Sequence, residues 1–139
     1  MFELDTRLKN DTQVIGEWPL SVVLLHRDSN FPWCILVPRR EGVTEIYQLN
    51  DEDQQTLFEE SRLLSRAMTT VFAPDKMNIA ALGNVVKQLH IHHVARYVDD
   101  AAWPAPVWGT VPEKDYEDSH LRERVEILRS ELDGARAFI

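Results

Sequence analysis

Apolar positions fall into strand-length stretches in the first third of the chain and into helix-length stripes later. Leu20 to Leu25 and Trp33 to Val37 are short, rich in β-branched residues and set off by Pro19 and Pro38, which predicts two buried strands. The polar stretch between them holds Asp28-Ser29-Asn30, three residues whose side chains support turns. Upstream, Asp5 to Asn10 reads as a short helical turn and Thr12 to Glu17 as a strand, while Arg39-Arg40-Glu41-Gly42 reads as a loop.

Leu57, Leu64, Met68 and Val71 then recur at near-helical intervals, with Phe58 and Phe72 beside them. Asn50 is a good N-cap, Asp51, Glu52 and Asp53 suit the positive end of a helix, and Pro74 stops it. Lys76 to Leu82 predicts a strand, Gly83-Asn84 a break, and Val85 to Arg96 another strand. Asp99 to Pro112, rich in Pro and Trp, predicts irregular packed chain. Glu113 to Arg136 predicts a second helix with a stripe of Leu121, Val125, Leu128 and Leu132. Strands, a helix, strands again and a last helix make an α+β protein with a mainly antiparallel sheet. The 139 residues suit a single domain spanning 1–139, with a core over 12–97 and an extension with its helix over 98–139.

The formal charge of −8 argues against a nucleic-acid groove or a basic membrane-binding face, but it leaves room for one phosphorylated small molecule. A single Cys34 rules out an intramolecular disulfide. The absence of a basic start followed by an apolar stretch, and of any span-length apolar run, predicts a cytoplasmic protein without membrane attachment.

Three of the five histidines crowd into Gln88-Leu89-His90-Ile91-His92-His93-Val94. On a strand, Gln88, His90 and His92 share one face and Leu89, Ile91 and His93 the other. On a helix, His90 and His92 would stand about 200° apart. A His-x-His pair on one face serves metal ligation, acts on a phosphoryl group with one ring attacking and one donating, or simply faces water. Spacing leaves these three readings open. A metal needs a third ligand, and nothing in the pattern places His26 or His120 nearby.

Gly83-Asn84-Val85-Val86-Lys87-Gln88-Leu89-His90-Ile91-His92-His93-Val94-Ala95-Arg96 resembles the signature of the histidine triad (HIT) family, Gly-Gln-x-Val-x-His-φ-His-φ-His-φ-φ, often followed by Pro-Arg. Phe31 to Arg39 resembles the strand before that family's long helix, and Ala102 to Gly109 is similar to the tail of bacterial HIT-like hydrolases of about this length. Two registers fit the histidines. One makes His90, His92 and Val94 the triad positions. The other makes them Gln88, His90 and His92, and only this one keeps Gly83, Asn84, Val86 and Arg96 aligned, so it is adopted.

In that register the resemblance implies that His90 is the nucleophile toward the α-phosphate of a nucleotide. His92, Gln88 and Asn84 would contact the phosphate. Asn84 stands where the family has Gln, with a reach one methylene shorter. Gln88 stands where the family has His. It hydrogen-bonds but does not titrate, which puts a proton-relay role there in doubt. The resemblance also implies a HIT-like sheet of about five strands, and substrates such as dinucleoside polyphosphates or nucleoside phosphoramidates. It implies a homodimer and a reaction that requires no cofactor, with Mg²⁺ accompanying a polyphosphate substrate at most. The alternative is a nucleotide-binding or sensing module with little turnover.

Other candidates are read as structural. His93 lies on the face opposite His90, His26 is placed at a surface turn, and Arg39-Arg40 in an exposed loop. Lys87 alternates away from the catalytic face, and Trp103 and Trp108, whose rings are able to stack on a base, are read instead as pinning the C-terminal segment to the sheet or a partner subunit. The stripe of the last helix, added to the tryptophans, is taken to exceed what a monomer hides and so to favour a dimer.

Overall fold

The computed structural model describes residues 1–139. The elements are α1 (Thr6–Asp11), β1 (Thr12–Glu17), β2 (Ser21–His26), β3 (Trp33–Pro38), a 3-10 turn (Ile46–Gln48), α2 (Asp51–Phe72), β4 (Lys76–Ala80), β5 (Ile91–Arg96) and α3 (Asp118–Leu132). The five strands form one antiparallel sheet in the order β1-β2-β3-β5-β4. This is the α+β architecture that the pattern predicts.

Helix α2 begins and ends where its punctuation says. Asn50 Oδ1 accepts the Asp53 N–H at 2.8 Å, and Ala73 closes the helix in the left-handed region at φ 44. Asp53 also holds Arg40 through two hydrogen bonds of 2.6 and 2.9 Å, so Arg40 is committed to the helix start. Arg39 is committed as well, donating to the carbonyls of Trp18 and Pro19.

Both faces of the sheet are covered. On one face Leu57, Leu64 and Met68 of α2 and Val125, Leu128 and Leu132 of α3 pack on Val23, Leu25, Cys34 and Leu36. On the other, Leu8, Phe31, Val94, Ala102 and Val107 gather around Trp33 and Ile35. With both faces buried, β2 and β3 read as continuous apolar runs instead of alternating.

Three predicted elements are shorter than the pattern suggests. The last helix spans Asp118–Leu132 only, because residues 113–117 run extended and Asp115 bridges to Asp28. Its apolar stripe packs into this chain's own core, so the stripe gives no argument for a dimer. The strand from Lys76 stops at Ala80, and the strand expected over Val85 to Arg96 starts only at Ile91. Leu36 pairs with Ile91, so continuing the register would set Leu89 against Pro38, a residue with no N–H to donate. Leu89 gives its own N–H to Val43 O instead, at 3.0 Å. Residues 81–90 therefore leave the sheet as a loop, which frees them to shape a site.

Candidate active site

His90 sits at the junction of this loop and β5, and the residue is 5% exposed. Nδ1 lies 2.7 Å from the Gln88 carbonyl. A carbonyl only accepts, so the proton is on Nδ1, and Nε2 carries the lone pair with no protein partner. That is the tautomer a nucleophile needs.

His92 is two residues on, with its ring centroid 4.8 Å from that of His90. Both of its nitrogens are occupied. Nδ1 accepts from the indole N–H of Trp33 at 3.0 Å, and Nε2 donates to Leu82 O at 3.1 Å. Burial, followed by the neighbouring His90, pulls its pKa down to about 4. His92 has no free lone pair with which to attack.

His90 lines two cavities. The polar one, about 490 Å³, includes Gly83, Asn84, Lys87, Gln88 and Thr44. The other, about 290 Å³, is half hydrophobic and includes His26, Trp33, His92, Val107 and Trp108, with Arg7 and Asp28 beside them. Gly83 is required where it stands. A Cβ there would lie 2.6 Å from Val86 O and 3.4 Å from His90 Cε1, so the loop turns tightly against the imidazole.

No cluster of three or more His, Cys, Asp or Glu side chains lies in metal-holding geometry. No helix is long and apolar enough to cross a membrane.

The HIT domain family model matches residues 7–99, two-thirds of the chain. The chain belongs to the HIT family. It is similar to a crystal structure of a histidine triad protein from Bradyrhizobium japonicum, at 45% identity and a TM-score of 0.92 over 94% of this chain and 97% of that one. A histidine triad protein from Marinobacter aquaeolei is 49% identical, with a TM-score of 0.86 over 96% and 94% of the two chains. One from Sinorhizobium meliloti is 36% identical, with a TM-score of 0.92 over 95% and 98%. None of the curated proteins matches the chain.

Within this HIT domain the expected site residues occupy unequal positions. Asn84 is exposed on the polar cavity that His90 lines. Gln88 is half-buried on the same cavity, but its amide is engaged elsewhere. Oε1 accepts the Asp5 N–H at 2.9 Å and Nε2 donates to Glu3 O at 2.8 Å. Gln88 thus clasps the N-terminal segment with its side chain and fixes the His90 tautomer with its carbonyl.

Lys87 lines the polar cavity, contrary to the alternation argument, because period two holds only inside a ladder and residues 81–90 are outside one. His26 is not a surface turn residue. It is half-buried and stacks on Trp33 at 4.0 Å with 9° between planes, and Nδ1 accepts the Asp28 N–H at 3.1 Å. Burial lowers its pKa against the opposing pull of Asp28 and Asp11. Trp108 meets both Trp33 and His92 edge to face, at 5.8 and 5.0 Å, so it is a cavity wall as well as a pin. Trp103 stays structural, with the Arg96 guanidinium 5.5 Å from its ring.

His93 is fully buried on the far face, as expected. Its Nδ1 donates to Ile91 O at 3.1 Å, and Nε2 accepts from Ser61 Oγ at 2.7 Å on α2. The downstream Arg96 is 1% exposed and braces the loop after β5. It binds Asp100 at 2.8 and 3.1 Å, Asn78 at 2.8 Å and Ala105 O at 2.9 Å.

The sequence reading ranked structural roles first for His26 and Trp108 and did not bring the aromatic wall together. Its one available signal was the density of Trp and His at positions 26, 33, 92 and 108, which come together only when β2, β3, β5 and the loop after β5 assemble.

Proposed function

We propose that this HIT protein cleaves or transfers at the α-phosphate of a nucleotide conjugate through a nucleotidyl intermediate on His90. The observation that carries the reading is the Nδ1 contact to the Gln88 carbonyl, which leaves the Nε2 lone pair free where the two cavities meet. A neutral imidazole is nucleophilic near neutral pH without a separate base.

The aromatic cavity suits a nucleoside, which stacks on indole and imidazole faces. The polar cavity suits the leaving group, with Lys87 and Asn84 offering donors. The Nε2–H of His92 is the donor to the nonbridging oxygens. Preorganised donors of this kind are typically worth about 10²–10³ in rate. Gln88 serves through the N-terminal segment and the His90 tautomer, so phosphate contact rests on Asn84 and His92.

The substrate class is dinucleoside polyphosphates or nucleoside phosphoramidates. The chemistry asks for no cofactor, and Mg²⁺ enters only as the companion of a polyphosphate. The protein is assigned to the cytoplasm and to a homodimer. Phe58 on α2 is 76% exposed and Ile79 on β4 53%. Ile79 pairs with His93, which bonds Ser61 one turn from Phe58, so both lie along one free edge. An exposed apolar edge supports association with a second copy.

The test is turnover of diadenosine tetraphosphate and adenosine phosphoramidate, followed by acid-free quenching and mass spectrometry. An adenylyl adduct on His90 is expected, absent from His90→Ala. An adduct on His92, or binding without any turnover, would replace this reading, the latter with a nucleotide-sensing module.

A further inference from the structure

We propose that Trp33 is a positioning residue for the reaction: its indole N–H, given to His92 Nδ1 at 3.0 Å, holds His92 as the neutral tautomer that carries its proton on Nε2. The role in catalysis rests on the proposed phosphoryl chemistry, whereas the tautomer does not.

An indole N–H donates and never accepts. His92 Nδ1 must therefore present its lone pair to Trp33. The opposite tautomer and the imidazolium would each place an N–H against the indole N–H, losing a buried hydrogen bond and setting two donors face to face. Trp33 has no freedom to turn away. It is 4% exposed, stacked on His26 at 4.0 Å, edge-on to Trp108 at 5.8 Å and edge-on to Phe31 at 6.5 Å. At the other end of the ring, Leu82 O accepts from Nε2 at 3.1 Å, which is compatible with the same tautomer.

The groups around His92 that carry or acquire charge are His90 on its own side of the sheet, His26 across Trp33, and Arg7, Asp11, Asp28 and Glu113 along the shared cavity. His93 points to the opposite face, toward Ser61. His90, His26 and His93 act against a proton on His92, in the same direction as the Trp33 bond. The gain for the reaction is twofold. A substrate oxygen replacing Leu82 O would meet an N–H whose position is fixed beforehand. His90 also keeps its nucleophilicity, because a cation with its ring centroid only 4.8 Å away would hold the attacking lone pair more tightly.

The test begins with ¹⁵N-labelled wild-type protein and no substrate. The expected result is a through-hydrogen-bond N–N coupling between the Trp33 indole and His92 Nδ1, with His92 protonated at Nε2 alone from pH 8 to pH 5. Trp33→Phe keeps an aromatic face for His26 but removes the donor. In it, the His92 titration should rise, because the bond that favours the neutral ring is gone, while burial and His90 still hold it below the ordinary value. Turnover should then begin to fall at a higher pH than in the wild type, as the neutral fraction of His92 falls.

Wild-type His92 carrying its proton on Nδ1 at pH 7 would overturn the proposal. So would Trp33→Phe with an unchanged His92 titration and pH profile. If Trp33→Phe does not fold, the wild-type coupling decides alone. If no nucleotide is turned over, the resonance measurements still stand, so failure of the tautomer and failure of the proposed reaction are read separately.

Discussion

Replacing Gln88 with alanine separates the role of its side chain from that of its carbonyl. Its amide makes two hydrogen bonds to backbone 83 and 85 residues away in sequence, to Asp5 N–H at 2.9 Å and Glu3 O at 2.8 Å. Phe2 and Leu4 add partial burial against the second core cluster, and Asp5 caps α1 by accepting the Arg7 N–H at 2.8 Å. Each amide bond contributes about 1 kcal/mol net, so losing both costs about 2 kcal/mol of local docking. Local opening then becomes roughly 30-fold more frequent.

The His90 contact is to the Gln88 main-chain carbonyl, which alanine retains. Hydrogen exchange followed by mass spectrometry should therefore show faster exchange across residues 3–9. Exchange in β5 and the global melting temperature should change little. Arg7 lines the cavity that His90 and His92 share, so substrate affinity should weaken while the turnover rate stays within a few-fold of the wild type. Unchanged exchange near the N-terminus, together with turnover slowed by roughly a hundredfold or more, the usual effect of losing a transition-state donor, would refute the clasp and return Gln88 to direct contact with the phosphate.

Gly16→Ala should destabilise the fold by about 1–3 kcal/mol in thermal or urea melts, since the new Cβ would lie 2.4 Å from the Phe138 ring and 2.7 Å from Ile139 O. Deleting Phe138 and Ile139 in that background should cost little more. Asp100→Asn should cost about 3 kcal/mol or more, because the Arg96 guanidinium is 1% exposed and would keep a buried charge without its partner. An equally stable Asp100→Asn protein would remove that account. His93 is buried and neutral, with its pKa lowered by burial to about 4. The unfolded chain takes up this proton first, so the stabilisation is complete above about pH 6.5 and fades as pH falls toward 4, by about 3 kcal/mol in all. Urea titrations at pH 7.5 and 4.5 should show that loss, and it should shrink in His93→Gln.

Much of this protein was legible residue by residue. Local rules are enough for α2, because Asn50 and Pro74 act on their own neighbours in the chain. The same holds for the apolar strands around Val23 and Ile35, whose burial on both faces appears directly as unbroken hydrophobicity. The motif around His90 was readable too, since its anchors at Gly83, Val86 and Arg96 are close in sequence. Alternation failed for Lys87 because it assumes a ladder, and the ladder ends at Ile91 opposite Leu36. The free nitrogen of His90 follows from a carbonyl only two residues away, but what occupies both nitrogens of His92 and what Gln88 holds were decided only by tertiary structure. Those answers depend on Trp33, 59 residues from His92, and on Glu3 and Asp5, more than 80 from Gln88. A hydrogen bond is set by separation and direction in space, and a sequence pattern carries neither for residues that meet only after the sheet has formed.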